Sequence, residues 1–358
     1  MKFVHIADMH FDVPFTSLNS KPDLCEKRRL EQREAFRKVI EYVKQEDIPY
    51  LFIAGDLFEH EYVRKSTIDF ISGCFKQIPD TKVFISPGNH DPYVRDSYYD
   101  TYEFSDNVFI FRNSRIEKYE DENLNLYGIA FTDFYMNYSP INNFYSIPNS
   151  EKPNILLAHI DLNGANDKNG FSYNPVLESK LKSLDFDYCA IGHIHKNNLD
   201  KKSRICYPGS PISLGFDELG SHGMIVGDIT KDSLNIDFVT LDDREFQEIN
   251  IDVSEIFSKE ELVENINTLY LEPQNFYKVN LVGNRNFEIN TREIIRLINN
   301  VNIFKIKDLT SIRYNIDELI KQNNLKGYFI REVKNIYDKG LCTEEEFLKA
   351  IEIGLNAM

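Results

Sequence analysis

Short apolar runs alternate with amphipathic stretches through the first two thirds of the chain. Runs at 2–7, 50–54, 82–86, 108–111, 124–129, 155–158 and 188–191 include several that are nearly continuous in apolar residues, as in strands covered on both faces. After the first run, Phe36, Val39, Ile40 and Val43 recur at helical spacing while Glu, Lys and Arg fill the other face, which predicts a helix over 24–45. A second helix is predicted over 66–76, and consecutive strands at 204–207, 223–229, 234–241 and 246–251. Strand–helix alternation followed by adjacent strands predicts an α/β fold, with sheets packed together under flanking helices.

A soft boundary falls at 241–244. The stretch to about 309 reads strand–helix–strand–helix–strand (246–253, 260–269, 277–282, 291–298, 301–307), a small α+β unit. The tail predicts a helical pair. Phe329, Val333, Ile336 and Tyr337 share one stripe, with Gly340 as the stop. Thr343 and Glu346 stand in capping-box spacing ahead of Phe347, Leu348, Ile351 and Leu355. These stripes are expected to form one apolar surface that serves assembly. The predicted division is 1–243, 244–310 and 311–358.

Composition narrows the class. With 42% hydrophobic residues, 27% charged residues, 26 Phe and 20 Tyr, the 358 residues can fill a sizeable core, which excludes a disordered chain. A net charge of −16, from 41 Lys+Arg against 57 Asp+Glu, argues against coating nucleic acid by bulk charge, so any such contacts would be local. No apolar run approaches the roughly 20 residues of a membrane span, and the N-terminus carries no cleavable signal pattern. Five scattered cysteines without a CxxC pair predict a reducing, cytoplasmic setting and no thiolate zinc site.

The chemistry is concentrated where the apolar runs end. Asp8-Met9-His10 follows the first run, Gly55-Asp56 the second and Gly88-Asn89-His90-Asp91 the third. His159 follows 155–158, and Gly192-His193-Ile194-His195 follows the run ending at 191. An open α/β sheet gathers its site at these strand ends. Imidazole, carboxylate and amide oxygen suit Mn²⁺, Fe²⁺, Zn²⁺ or Mg²⁺. In extended backbone, Asp8 and His10 would project to one side, as would His193 and His195. One Asp between two metals can bridge them, and metals roughly 3.5–4 Å apart can clamp a phosphate for in-line displacement. Each fragment alone is weak, but in this order coincidence is a poor account.

Other polar residues take plainer readings. His5 packs within its strand, and His60 and His222 are expected at the surface or in loops. Asp91 is expected to support its loop, with an orienting hydrogen bond to a site histidine as the alternative, and Lys27-Arg28-Arg29 is expected to be a solvated helix face, with phosphate contact as the alternative. Lys196, Lys201, Lys202 and Arg204 border the expected site and are candidates for phosphate contact.

The ordered set resembles the calcineurin-like metallophosphoesterase superfamily. Within it, the chain resembles the SbcD branch of DNA-repair nucleases, above all its YhaO-like bacterial members. The stretches HIADMHFDVPF, FIAGDLFE, SPGNHDP, AIGHIHK and YPGSPISLGFDE carry the resemblance over about residues 1–230. It implies a four-layer sandwich of two mixed β-sheets flanked by helices for a catalytic domain over 1–243. An α+β capping domain over 244–310 would follow, then a C-terminal helical segment over 311–358 that binds an SMC-like coiled-coil ATPase subunit. Asp8, His10, Asp56 and His195 would hold one metal, and Asp56, Asn89, His159 and His193 the other, with Asp56 shared. His90 would be catalytic, steadying the transition state or protonating the leaving oxygen. Glu59 stands where the family often has Asp and is not a ligand position. Two divalent ions are implied, Mn²⁺ foremost, with Fe²⁺, Zn²⁺ and Mg²⁺ open, as is a homodimer of nuclease subunits. The expected function is a dinuclear-metal DNA nuclease, exonuclease and/or endonuclease, in repair. The alternatives are a phosphoesterase on a cyclic nucleotide, nucleotide-lipid or phosphoprotein, or a DNA-end-binding scaffold with little activity.

Overall fold

β1 (Lys2–Ile6), β2 (Tyr50–Ile53) and β3 (Lys82–Ile85) run parallel, linked by α1 (Pro22–Gln45) and α2 (Lys65–Phe75). Successive crossovers of one hand carry both helices to one face of the sheet. The computed structural model describes residues 1–15, 18, 22–164, 170–312 and 316–358, and the chain divides into two units, 1–247 and 248–358.

In the first unit, α3 (Tyr98–Thr101) precedes β4 (Val108–Ile110), and β13 (Gly223–Ile229) and β14 (Leu234–Thr240) complete a six-stranded mixed sheet in the order β14-β13-β1-β2-β3-β4. A second six-stranded mixed sheet has the order β11-β12-β10-β7-β6-β5. Its strands are β5 (Glu117–Glu120), β6 (Asn125–Gly128), β7 (Asn154–His159), β10 (Tyr188–Gly192), β11 (Asn198–Leu199) and β12 (Ile205–Tyr207). Between β7 and β10 lie a short parallel pair, β8 (Asp161–Leu162) and β9 (Pro175–Val176), and α4 (Glu178–Leu184).

The pleat sends alternate side chains to opposite faces. Phe3, Phe52 and Phe84 of one sheet therefore meet Leu126, Leu157 and Tyr188 of the other in a shared core, and the Phe3 and Tyr188 rings lie 4.8 Å apart. Each fully buried Phe contributes about 1.5–3 kcal/mol. On the outer face of the second sheet, Leu156, Cys189 and Ile191 pack with Leu181 and Leu184 of α4. The outer face of the first sheet, with Val4, Ile6, Leu51, Ile53, Val83 and Ile85, is equally buried, as are Phe36, Val39 and Val43 of α1 and Ile68, Ile71 and Phe75 of α2. The result is the expected four-layer sandwich.

Most predicted elements form within a residue or two of their expected ends. Strand β5 escaped the sequence reading because its Glu-Lys-Tyr-Glu lies at a sheet edge and buries little. Helix α4, at seven residues, is too short to show periodicity. Two plain readings are overturned. Arg28 is fully buried, not solvated: its guanidinium grips Asp242 at 2.8 and 3.0 Å and Glu31 at 2.9 Å. His222 is also buried, with its ring nitrogens 2.9 Å from the Ser210 hydroxyl and 3.0 Å from the Glu218 carbonyl.

β15 (Phe246–Asp252) runs across the division at 247–248 and enters a three-stranded sheet with β16 (Phe276–Val282) and β18 (Ile303–Asp308). Leu262 and Ile266 of α5 (Lys259–Asn267) and Ile294 of α6 (Thr291–Leu297) bury against that sheet. Between them β17 (Asn284–Arg285) pairs with β19 (Ser311–Ile312). Then come α7 (Ile316–Leu319), α8 (Leu325–Asp338) and α9 (Glu344–Asn356), the last with the expected Thr343–Glu346 capping box. The apolar stripes of α8 and α9 do not form an open surface. Phe329, Val333 and Tyr337 pack with Phe347, Ile351 and Leu355, because two amphipathic helices joined by a short turn cover each other first. Ile336 and Leu348 stay exposed. No described helix is long and apolar enough to cross a membrane.

Candidate metal centre

The candidate ligands stand at one edge of the first unit because their strands are parallel within each sheet. Past the end of β1, the pairing with the β2 segment continues: Asp8 N donates to the Gly55 carbonyl at 3.1 Å, and His10 N to that of Asp56 at 2.9 Å. The expectation of extended backbone at Asp8, His10 and His193 does not hold. Asp8, His10, Asp56 and His193 adopt φ of +53°, +49°, +51° and +107°. Non-glycine residues in this region cost on the order of 1–3 kcal/mol each and persist where surroundings over-determine them. Here they are held by the ladder just described, and by Gln32, which donates to the carbonyls of Met9 and His10 at 2.5 and 3.0 Å. Gly55, at φ +88°, leaves room for the His159 ring: a Cβ there would collide with the imidazole.

All seven expected ligands come together. His10 Nε2 faces His195 Nε2 at 3.1 Å, with an Asp8 oxygen in the same cluster. On the other side, His159 Nε2 lies 3.3 Å from His193 Nδ1 and 3.1 Å from Asn89 Oδ1. Asp56 Oδ2 stands between, 3.6 Å from His10 Nε2 and 3.2 Å from His159 Nε2. The Asp8 carboxylate also accepts the His193 N–H at 3.0 Å.

The outward nitrogens of three imidazoles are engaged. His10 Nδ1 is 2.7 Å from Glu59, His195 Nδ1 2.5 Å from Glu218 and His159 Nδ1 2.8 Å from the Ala54 carbonyl. Each outward Nδ1–H donates to its oxygen, which leaves each Nε2 able to give its lone pair to a cation. Three such nitrogens converging with two carboxylates and an amide oxygen make a donor set that fits divalent cations. Asp8, His10, Asp56 and His195 would hold one cation, and Asp56, Asn89, His159 and His193 the second.

His90 is placed differently. Its backbone N–H donates to Asp56 Oδ1 at 2.8 Å and its Nδ1 to Glu59 Oε2 at 2.9 Å. Its side chain is 45% exposed, and it lines a cavity of about 300 Å³ with Asn89, Tyr62, Phe134, Tyr135 and Tyr173. His10, Asp56 and His90 also bring ligand atoms within 4.8 Å of one another.

Burial and charge set the protonation of the side chains themselves. Burial opposes charge on His90, yet the Glu59 hydrogen bond and the Asp56 charge raise it to about 9. Burial likewise opposes charge on His159 and His195, but Asp56 and Glu218 respectively bring each up to about 9. Burial and the neighbouring His159 push His193 down to about 3. Burial works against ionised Asp56, but His159 holds it well below the usual carboxylate range. Burial raises Asp8. Glu59, despite burial, is held down at about 2 by His10 and His90.

Two acids were not given this weight by the sequence. Glu59 bridges His10 and His90. Glu218 orients His195 and also receives the Ser210 hydroxyl at 3.0 Å. Its only signal was membership in the family-like stretch ending GFDE. Asp91 ties the loops, accepting from the backbone of Gly88, Asp56 and Leu57 and from the Tyr99 hydroxyl at 2.7–3.0 Å. His5 contacts the Tyr188 hydroxyl at 3.0 Å inside the sandwich. Among the phosphate candidates, Lys201 and Arg204 pair with Asp237 and Asp187, each at 3.5 Å.

Known sequences place the chain in a family. Residues 1–197 match the calcineurin-like phosphoesterase family, more than half of the chain, and the protein belongs to that family. It is thus a member of a class of metal-dependent phosphoester hydrolases. It is 24% identical over 266 residues to the uncharacterized metallophosphoesterase YhaO of Bacillus subtilis, covering 71% of this chain and 64% of that protein. It is 27% identical over 304 residues to the SbcD component of the SbcCD nuclease of Staphylococcus epidermidis, covering 75% and 78% respectively. It is 24% identical over 246 residues to the DNA double-strand break repair protein Mre11 of Methanopyrus kandleri, covering 62% and 52%. The chain spans just under two thirds of the Bacillus relative's length. Among solved structures, the Escherichia coli phosphoesterase YfcE aligns with 68% of this chain and 100% of its own, at 15% identity and a TM-score of 0.30.

Proposed function

We propose that this protein is a two-metal phosphodiesterase that cuts DNA, and that it is the nuclease subunit beside an SMC-like coiled-coil ATPase. The carrying observation is the pair of inward-facing imidazole sets, His10 with His195 and His159 with His193, on either side of Asp56. The relatives named as a nuclease component and a strand-break repair protein support DNA as the phosphodiester.

Bound divalent cations, of which we propose Mn²⁺, supply Lewis acidity to the phosphoryl oxygens and to the attacking water. The protein's own residues do the rest. Glu59, Glu218 and the Ala54 carbonyl fix the ring planes of His10, His195 and His159. His90, anchored through Nδ1 to Glu59 and lining the cavity, would carry the transferable proton on its other ring nitrogen. As water adds to phosphorus and the bond to the leaving oxygen breaks, His90 gives that oxygen its proton. The Asp91 hydrogen bonds keep the Gly88–Asp91 turn rigid, so Asn89 and His90 hold their separate positions.

We further propose a homodimer in the cytoplasm. The exposed Ile336 and Leu348 of α8 and α9 would offer the ATPase a docking strip. Purified protein with Mn²⁺ should hydrolyse both bis(p-nitrophenyl) phosphate and a single-stranded oligonucleotide, alone or with the ATPase added. Turnover of the small ester without any DNA cleavage, even with the partner present, would point to another phosphoester.

A further inference from the structure

Arg29 and Arg33 stand one helical turn apart on α1, so they share a face. Arg64 immediately precedes α2. All three line a cavity of about 460 Å³ together with Asp12, Glu26 and Tyr62. In a chain of net charge −16, three arginines around one cavity call for an account of their counter-charges. Nearby acids are engaged elsewhere: Glu31 and Asp242 with Arg28, and Glu34 with Arg37. Asp12 Oδ2 accepts the Arg64 backbone N–H at 3.0 Å and the Thr67 hydroxyl at 2.7 Å. Glu26 is the remaining acid of the lining. Among the described residues, no ion pair involves Arg29, Arg33 or Arg64. Arg33 is also pre-set: it donates to Thr67 Oγ1 at 2.9 Å and lies 5.3 Å from the centre of the Phe70 ring. A guanidinium so fixed loses little freedom on gripping a phosphate with its remaining N–H groups.

Tyr62 joins this cavity to the metal centre. Its ring, 53% exposed, lines both the arginine cavity and the one over Asn89 and His90. Its backbone N–H donates to the Glu59 carbonyl at 3.0 Å, which anchors it to the turn that orients His10 and His90. An unpaired nucleic-acid strand combines a negative charge at every step with flat bases that stack on aromatic rings. A strand with its scissile phosphate at the centre would cross Tyr62 before meeting the arginines.

We propose that Arg29, Arg33 and Arg64 form a second phosphate subsite for a flanking phosphate of the strand being cut, with Tyr62 stacking the base between. This rests on the reading of the protein as a nucleic-acid phosphodiesterase. It separates the polynucleotide from small phosphodiesters, which end at the metal centre and never reach the arginines.

The test compares wild type with Arg29→Gln/Arg33→Gln/Arg64→Gln on two substrates with Mn²⁺: a ten-residue thymidine oligonucleotide and bis(p-nitrophenyl) phosphate. The variant should keep its kcat/KM on the small ester and lose about tenfold or more on the oligonucleotide, mostly through KM. The slope of log kcat/KM against log salt should flatten by about 0.7 per phosphate contact removed. Fluorescence anisotropy of the labelled oligonucleotide in EDTA should show the same weakening without turnover. Because Arg33 also packs on Phe70, the double variant Arg29→Gln/Arg64→Gln, with Arg33 intact, provides an independent check. It should weaken oligonucleotide binding while sparing small-ester hydrolysis. Unchanged oligonucleotide kinetics and salt slope in these variants would overturn the subsite and leave the nuclease reading standing. An equal loss on both substrates in the double variant would also overturn it, because the arginines would then serve the fold. Wild type that hydrolyses the small ester but neither binds nor cuts the oligonucleotide would overturn the nuclease reading itself.

Discussion

Glu59 receives two histidines on one carboxylate: His10 Nδ1 lies 2.7 Å from Oε1 and His90 Nδ1 2.9 Å from Oε2. A single acid thus sets the orientation of a candidate ligand and of the candidate proton donor. The arrangement has a pH signature in the metal-free protein. Glu59 is lowered from 4.5 to about 2, so its contribution to stability is complete above the unfolded value and is lost as pH falls towards 2. His90 is raised from 6.5 to about 9, so its share is complete below 6.5 and is lost as pH rises through 9. The difference in Tm between wild type and Glu59→Gln in EDTA should therefore be largest between pH 4.5 and 6.5 and shrink on both sides. A difference that is flat across pH 3–9.5 would mean that the carboxylate's charge does not stabilise the fold.

Asp56→Asn should weaken both cation sites, because the shared ligand loses its charge while keeping its shape. Wild type should take up two divalent ions per chain by elemental analysis after reconstitution, and the variant fewer, with lower affinity in calorimetric titration. One ion or none in the wild type would refute the dinuclear reading.

Glu218→Gln acts one bond further out. It leaves the ligands in place but removes the charge that orients His195. Loss of such a supporting hydrogen bond typically costs 10–100-fold in metal affinity. The weakening should appear at one of the two binding steps, because the Glu218 carboxylate holds His195 and Ser210 on the side of the first cation set, away from the His159–His193 pair. Equal weakening of both steps would mean that the two sites are not separable.

His90→Asn should keep the fold and both ions while losing phosphodiester hydrolysis by about 10²–10⁴-fold, the usual contribution of a general acid–base group. Metal titration and turnover on the same samples decide between roles. Loss of an ion would make His90 a ligand, as its proximity to His10 and Asp56 also permits. Full activity with both ions retained would assign the proton to another donor.

Arg28→Met should destabilise the first unit by about 3–5 kcal/mol in urea unfolding, since it strands the buried Asp242 carboxylate. Arg28→Met combined with Asp242→Leu should recover much of that loss, because the pair is then replaced by apolar groups. No recovery would show that the Ser213 contacts of both side chains matter as well.

The positions of most strands and of the candidate ligands were legible in the chain. Apolar runs ending in Asp, Asn or His mark strand ends, and parallel strands must bring like ends together; hence Asp8, Asp56, Asn89, His159 and His193 were found one by one. The local backbone at those ends was not legible. Asp8 and His10 lie in left-handed conformations that non-glycine residues rarely adopt, and the pairing with Gly55 and Asp56 and the grip of Gln32 help to hold them there. Glu218, 23 positions from His195, and Arg28, 214 positions from Asp242, were invisible for the same reason. A carboxylate far along the chain becomes a partner only when folding closes the loop between them, and neither periodicity nor spacing records that closure. The amphipathic tail shows the converse. The sequence by itself determined that α8 and α9 carry apolar stripes and where each begins and ends. Only the tertiary structure decided that the stripes face each other, because the buried contact nearest in sequence forms at the lowest cost in chain entropy.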